Sequence, residues 1–151
     1  MEIQRSDHPV LFLSKREKAR ILGAVRAAEL QTSGEIRVHL ESTIDGDPLA
    51  YATVVFERLG MRQTAAHNGV LIFLAVTSRQ FVVLGDEGIN AVVPANFWDD
   101  VIAEMSNHFH GDRFADGIVA AIHRIGEKLR AYFPYQADDR NELSDEISYG
   151  R

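Results

Sequence analysis

The stretch Gly69-Val70-Leu71-Ile72-Phe73-Leu74-Ala75-Val76 is continuously apolar and is rich in residues that favour β-strands. Such a run predicts a central strand that other elements cover on both faces. It is far too short for a membrane helix, which needs about 20 residues. The stretch therefore indicates the middle of a β-sheet in an α/β domain.

Two further strands are predicted, one on each side of this run along the chain. Residues 35–41 alternate strictly between apolar and polar side chains, which is typical of a half-buried strand. Residues 80–84 form a second apolar run, close enough to the central strand to pair with it as an antiparallel hairpin. A helical segment separates the first strand from the central one, so these two strands are expected to be parallel.

The helices are predicted from their capping residues and their apolar periodicity. Ser14-Lys15-Arg16-Glu17 has the spacing of a capping box, and Asp47-Pro48 fits the start of a second helix. Two more helices are expected around residues 97–109 and 113–133, with Asp112 as the cap of the last one. The predicted fold class is α/β, a three-layer α/β/α sandwich with a small mixed central sheet.

Length and composition bound the class of protein. The chain has the length of one domain at 151 residues, and 46% of them are hydrophobic, which excludes global disorder. We expect an N-terminal extension over residues 1–13, an α/β domain over 14–134 and an acidic, flexible tail over 135–151.

Charge and residue usage exclude several kinds of partner and chemistry. The net charge of −6 argues against nucleic acid as a partner. Cysteine is absent, so disulfides and thiolate catalysis are excluded. The N-terminal residues lack the features of a secretory signal, and we therefore expect a cytoplasmic protein without direct membrane insertion.

Polar side chains are expected to meet at one edge of the sheet. Glu35 begins the first strand, Asn68 precedes the central strand and Asp86 follows the third, so the strand directions place all three at the same edge. Carboxylate and amide oxygens suit Ca²⁺ or Mg²⁺, and Glu87 is available to complete the shell. The pattern predicts a metal site of these four residues, and solvated acids at strand ends are the alternative explanation.

The opposite edge of the sheet is a competing location, because ligands in open α/β sheets usually lie at the carboxyl ends of parallel strands. It carries Glu41, Asp45, Asp47 and Thr77. Asp45-Gly46-Asp47 is similar to the start of an EF-hand loop, but Phe56 stands where the bidentate Glu is required. We therefore assign this segment to helix capping.

No complete catalytic motif is present. His108 and His110 near the last predicted helix could contact a metal or a phosphate, and a surface turn explains them equally well. Gly85-Asp86-Glu87-Gly88 matches neither a P-loop nor a dinucleotide fingerprint, and no serine stands in a nucleophile elbow. Catalytic residues are therefore unknown, and whether the chain is an enzyme stays open.

Four segments carry a family resemblance. They are Thr32-Ser33-Gly34-Glu35-Ile36-Arg37-Val38, Asn68-Gly69-Val70-Leu71-Ile72, Gly85-Asp86-Glu87-Gly88-Ile89, and Phe97-Trp98 followed by Phe114 to Ile122. Together they resemble the TPM-domain family, which includes a thylakoid lumen protein of photosystem II repair and a nematode levamisole-receptor modulator. Short bacterial members are similar even in the tail over residues 138–148, which makes a docking role for the tail plausible.

The resemblance implies an α/β/α sandwich, divalent-cation binding and, from the plant member, an acid phosphatase activity. Three functional hypotheses follow. The first is a Ca²⁺- or Mg²⁺-binding module that acts in protein interaction or assembly, with a protein partner of unknown identity. The second is a metal-dependent acid phosphatase, and the third is a structural adaptor without a metal. No nucleophile with an adjacent base can be named for the second hypothesis.

Overall fold

The computed structural model of the chain describes residues 5–135 and 145–150. Along the chain its helices and strands are α1 (Pro9–Phe12), α2 (Lys15–Glu29), β1 (Glu35–Glu41), α3 (Pro48–Arg58), β2 (Gly69–Ala75), β3 (Gln80–Gly85), α4 (Glu87–Asn90), α5 (Phe97–His110), α6 (Phe114–Tyr132) and β4 (Ser148–Tyr149). A 3-10 helix over Met61–Gln63 lies between α3 and β2.

The strands form one mixed sheet in the order β3-β2-β1-β4. β1 and β2 are parallel, with Glu35 opposite Gly69 at the start of the pairing. β2 and β3 are antiparallel, with Val70 opposite Gly85. The predicted parallel pair and hairpin are confirmed. β4 adds to the free side of β1 in parallel, with His39 opposite Ser148, and this strand was not predicted.

Both faces of the sheet are covered, as the apolar run of the central strand requires. All seven residues of β2 are buried. One face packs against α2, α5 and α6, through side chains that include Ile21, Val25, Val101, Met105, Ile118 and Ile122. The other face packs against α3, mainly through Ala52, Val55 and Phe56. The three-layer α/β/α sandwich is confirmed. Each fully buried Val, Leu, Ile, Met or Phe side chain contributes about 1.5–3 kcal/mol to stability.

The capping residues at the starts of α2 and α3 behave as predicted. The Ser14 hydroxyl accepts a hydrogen bond from the Glu17 backbone N–H at 3.1 Å, and the Glu17 carboxylate accepts one from the Ser14 N–H at 2.9 Å. Glu17 also accepts from the Arg5 guanidinium at 2.7 Å, and this bond lowers the Glu17 pKa to about 2. The Asp47 carboxylate accepts from the Ala50 N–H at 2.9 Å.

The structure corrects the predicted cap of α6 and shows a short helix near the N-terminus. Asp112 does not cap α6, because its backbone has a φ of 61° and the residue before the helix is Arg113, which has no capping side-chain bond. Within the predicted N-terminal extension, residues 9–12 form α1 and Phe12 is buried in the core. Periodicity does not reveal a one-turn helix of this length.

Part of the tail predicted over residues 135–151 has a described structure. Residues 136–144 and 151 lie outside the described residues. Residues 145–150 pack on the domain, Ser148–Tyr149 form β4, and the Ile147 side chain packs against the core. The tail is mostly polar and acidic, and Ile147 and Tyr149 alone are too few apolar residues to predict a docked strand from the sequence.

Candidate functional site

Asp86 lies at the sheet edge where β3 ends and α4 begins, and its side chain is almost completely buried, with 1% exposed. His67, Asp86 and Glu87 each contribute one atom that could bind a metal, and these three atoms lie within 4.8 Å of one another. His67 and Glu87 are exposed. The cluster therefore has a buried carboxylate at its base and an open side that faces solvent.

The two oxygens of Asp86 have different surroundings. Oδ1 accepts hydrogen bonds from the Glu87 backbone N–H at 2.8 Å and from Arg62 Nη1 at 3.1 Å. Oδ2 is buried, accepts no hydrogen bond within the described part of the chain, and lies 3.5 Å from Nδ1 of His67. A buried carboxylate oxygen without a donor carries a desolvation cost that a cation would offset.

Asn68 lies next to His67 at the same edge, and it is also buried. Its backbone N–H donates to Thr64 Oγ1 at 3.3 Å, and its Nδ2 donates to Ser33 Oγ at 3.4 Å. Its side-chain carbonyl oxygen, Oδ1, is buried and accepts no bond from any described residue. The edge therefore holds two buried oxygens that lack donors, one from Asn68 and one from Asp86.

The backbone around the cluster is closely packed. His67 has a φ of 51°, a left-handed conformation that non-glycine residues rarely adopt. The Gly88 N–H donates to the His67 carbonyl at 2.8 Å, and a Cβ on Gly88 would overlap the backbone oxygens of Ala66 and His67. Glycine at position 88 thus lets the turn after β3 approach the loop before β2, which brings His67 to Asp86.

Glu35 belongs to a second acidic cluster, not to the cluster around Asp86. One carboxylate oxygen each of Glu29, Glu35 and Asp145 can be chosen so that these atoms lie within 4.8 Å of one another. Glu29 also accepts from the Ile36 N–H at 3.0 Å. Burial, followed by hydrogen bonds with Asp145 and Glu35, raises the pKa of Glu29 to about 10. Glu29 is therefore protonated at neutral pH, and its proton reduces the charge of this cluster.

The structure thus divides the four predicted ligands. It brings Asp86 and Glu87 together, adds His67, and leaves Asn68 beside them. It separates Glu35, which joins residues from α2 and from the chain end. That these residues bind a metal stays a prediction.

A buried polar row on β1 is the feature that the sequence patterns missed. His39 and Glu41 are 1% and 2% exposed, although alternation predicted a solvated face for them. His39 Nε2 lies 2.9 Å from Glu41 Oε2, and His39 Nδ1 lies 2.8 Å from Ser148 Oγ. β4 lies beside β1 in the sheet, its Ser148 bonds to His39, and the His39 ring stacks on Phe73, so contacts with residues distant in the sequence account for this burial.

The other candidates do not form a ligand set. Glu41 is bonded to His39, Asp47 caps α3, and the Thr77 hydroxyl donates to the Asp7 carbonyl at 2.9 Å. His108 and His110 lie in the last turn of α5. Among the residues that the structure describes, none of these side chains belongs to a group of three ligating residues, and the same holds for Asp45.

A cavity of about 700 Å³ lies between α5 and α6, away from the acidic edge. Its walls carry opposite charges that pair with each other, as in Arg124 with Glu104 at 2.9 Å and Arg20 with Asp116 at 2.8 Å. These exposed pairs leave no single sign of charge for a ligand to match. We therefore place the candidate site at Asp86.

Fold and site together define a small α/β/α domain with an acidic sheet edge. The chain belongs to the family of TPM domains, because the family model (TPM_phosphatase, TPM domain) matches residues 8–128. No curated protein matches it. Within the described residues, none of the helices has the length and apolar character that a bilayer crossing requires.

Solved structures agree with this assignment. The NMR structure of BA42 protein from the psychrophilic bacterium Bizionia argentinensis is 45% identical, with a TM-score of 0.86, and the match covers 92% of this chain and 96% of that one. Two domains of lower identity share the fold. The N-terminal domain of cg2496 protein from Corynebacterium glutamicum has 15% identity, a TM-score of 0.61 and coverage of 89% and 79%. An N-terminal domain from P. gingivalis has 21% identity, a TM-score of 0.66 and coverage of 80% and 78%.

Proposed function

We propose that this TPM domain is a divalent-cation-binding module that acts in protein interaction or assembly, with Asp86 as the central ligand. The observation that carries the proposal is the buried Asp86 Oδ2, which accepts no hydrogen bond within the described residues. Glu87 and His67 stand beside it on the open side. Two carboxylates with water suit Ca²⁺ or Mg²⁺, and the Asn68 Oδ1 is a further oxygen at the same edge.

In this proposal, Arg62 weakens the binding of a cation at Asp86. Its guanidinium bonds to Asp86 Oδ1 at 3.1 Å and to Glu57 at 3.3 Å, and its side chain is 44% exposed. A cation must share Asp86 with this guanidinium, and two positive charges near one carboxylate repel each other. We therefore expect Arg62→Gln to bind Ca²⁺ more tightly than the unaltered chain does.

Calorimetry with CaCl₂ and MgCl₂ tests the proposal. Asp86→Asn should abolish the binding heat, and Glu87→Gln should weaken binding by about tenfold, which is about 1.4 kcal/mol. Glu35→Gln is the matched control, because it removes a buried acid from the second cluster at the same edge. If Glu35→Gln abolished binding and Asp86→Asn did not, the cation would belong to the Glu29 cluster and the proposed site would be wrong.

A metal-dependent phosphatase is the second candidate, and the open side of the cluster favours it. Because His67 and Glu87 are exposed, a bound cation could keep positions for water or for a phosphoryl oxygen. Hydrolysis of p-nitrophenyl phosphate that a chelator and Asp86→Asn both abolish would support this function. Cation binding without hydrolysis supports the interaction module, and absence of both supports an adaptor that needs no metal.

A further inference from the structure

The last described residues of the chain occupy the free edge of β1. β4 pairs with only two of the seven β1 residues, His39 and Leu40. The Gly150 N–H donates to the Leu40 carbonyl at 2.8 Å, so the backbone of Gly150 also bonds to β1. A short strand on an exposed sheet edge is replaceable, because any extended backbone offers the same hydrogen bonds.

Ser148 is recognised through its hydroxyl. The Glu41 carboxylate can only accept, so His39 Nε2 carries the proton in the 2.9 Å bond between them. Burial lowers the pKa of His39 and keeps the ring neutral, so Nδ1 is an acceptor for the Ser148 hydroxyl at 2.8 Å. The ring stacks on Phe73 with centroids 5.6 Å apart, which fixes its orientation. A side chain without a hydroxyl leaves the buried Nδ1 without a donor.

Gly150 is recognised by its lack of a side chain. A Cβ at this position would overlap the Glu41 carboxylate, which is buried and bonded to His39. Moving that carboxylate breaks the bond that orients the histidine ring. A cavity of about 560 Å³ lies beside Gly150 and is lined partly by Tyr51 and Arg58 of α3.

The first residues of the docked segment are recognised by charge. Arg26 of α2 lies 3.8 Å from Asp145 and 3.4 Å from Glu146. Arg37 of β1 is partly buried, burial lowers its pKa, and the charges of Asp145 and Glu146 oppose that lowering. These two arginines make this end of the β1 edge attractive to acidic residues.

We propose that the β1 edge is a recognition groove for an extended protein segment with the pattern acidic-acidic-x-Ser-x-Gly, and that residues 145–150 fill it until a partner protein presents such a segment. The inference rests on the interaction part of the proposed function and does not require a cation at Asp86. Residues 145–150 compete with the partner's segment for the groove, because they are attached to the same chain. The Tyr135 backbone N–H donates to the Gln31 carbonyl just past α2, and Asp145 lies beside Glu29 in the last turn of the same helix. The residues on either side of positions 136–144 therefore both lie near the end of α2.

The test uses the full-length chain and a fluorescent peptide with the sequence of residues 145–150. Gly150→Ala removes the chain's own segment from the groove, and Gly23→Ala is the matched control, because a Cβ on Gly23 meets no atom within 4 Å. We expect the peptide to bind Gly150→Ala at least about tenfold more tightly than it binds the unaltered chain or Gly23→Ala. Peptides with alanine in place of the serine or the glycine should bind at least about tenfold more weakly.

Several outcomes overturn the inference. Protection of the residue-150 amide from hydrogen exchange that is unchanged in Gly150→Ala would show that glycine is not required. If the groove of Gly150→Ala did not bind the peptide, or bound the alanine peptides equally well, the groove would not recognise this pattern. Dimerisation of the unaltered chain through exchanged tails would make a second copy the occupant. All titrations are run with and without EDTA, so that loss of cation binding at Asp86 is measured separately from loss of peptide binding.

Discussion

The Nδ1 atom of His39 lies 2.8 Å from the Oγ atom of Ser148, although the two residues are 109 positions apart in the chain. This bond joins the middle of the first strand to the last described strand. It also completes the hydrogen bonding of a histidine that is 1% exposed. Docking of β4 therefore also supplies the hydrogen-bond partner that Nδ1 of the buried His39 ring needs.

Replacing Ser148 by alanine should loosen the last strand without unfolding the domain. The change removes one hydrogen bond to a buried acceptor, which costs about 1–3 kcal/mol of local stability. Hydrogen exchange at the Gly150 amide should become faster, while amides in β2 should keep their rates. Ser78→Ala, in the exposed turn between β2 and β3, is the control and should leave the Gly150 amide unchanged.

His39 should make the domain sensitive to mild acid. Burial lowers its pKa from the ordinary value of 6.5, so below pH 6.5 the unfolded chain takes up a proton that the folded chain does not. The free energy of unfolding should therefore fall as pH drops through this region. Urea titrations between pH 7 and 5 should show a smaller fall for His39→Gln, whereas the exposed His123→Gln should follow the unaltered chain.

Glu29 should have the opposite pH dependence. Its folded pKa of about 10 lies above the ordinary 4.5, so the unfolded chain loses a proton that the folded chain keeps between these values. This contribution to stability is complete below pH 4.5 and declines as pH rises toward 10. Glu29→Gln should raise the Tm at pH 8 and flatten the decline, because glutamine does not ionise and its amide can still donate to Asp145. An equal slope in Glu29→Gln and in the exposed control Glu127→Gln would contradict the assignment.

Asp47→Ala should lower the free energy of unfolding by about 1 kcal/mol, because Asp47 caps α3 through the Ala50 N–H. Asp45, two residues earlier and exposed, provides the matched control, and Asp45→Ala should stay within about 0.5 kcal/mol. Chemical denaturation of both variants measures the difference. If both variants lost the same free energy of unfolding, the local negative charge would be responsible and the Asp47 cap would not.

The acidic edge could be predicted in part, for a definite reason. Alternation in residues 35–41 and the apolar run of β2 established the strand directions, and those directions place Glu35, Asn68 and Asp86 at one edge. Strand order does not determine which side chains meet there. His67 joins Asp86 because of its left-handed backbone and the close approach of Gly88, which no periodicity indicates.

Glu35 is a second case in which the strand order predicts a residue's position and does not predict its neighbours. Its position at the start of β1 was correctly predicted, but its neighbours are Glu29 from α2 and Asp145 from the chain end. The contact with Asp145 spans 110 positions and depends on where a polar segment returns to the sheet. Such returns have no local signal, because a docked acidic strand and a solvated one share the same composition.

By itself, the sequence determined the α/β/α layers, the capped starts of α2 and α3 and the parallel and antiparallel pairings of the first three strands, because hydrophobic periodicity and capping are local properties. The tertiary structure alone decided that the polar face of β1 is buried, that Asp86 meets His67, and that the chain end supplies a fourth strand. These contacts join distant residues through individual hydrogen bonds and shapes, and only the folded chain brings their partners within reach.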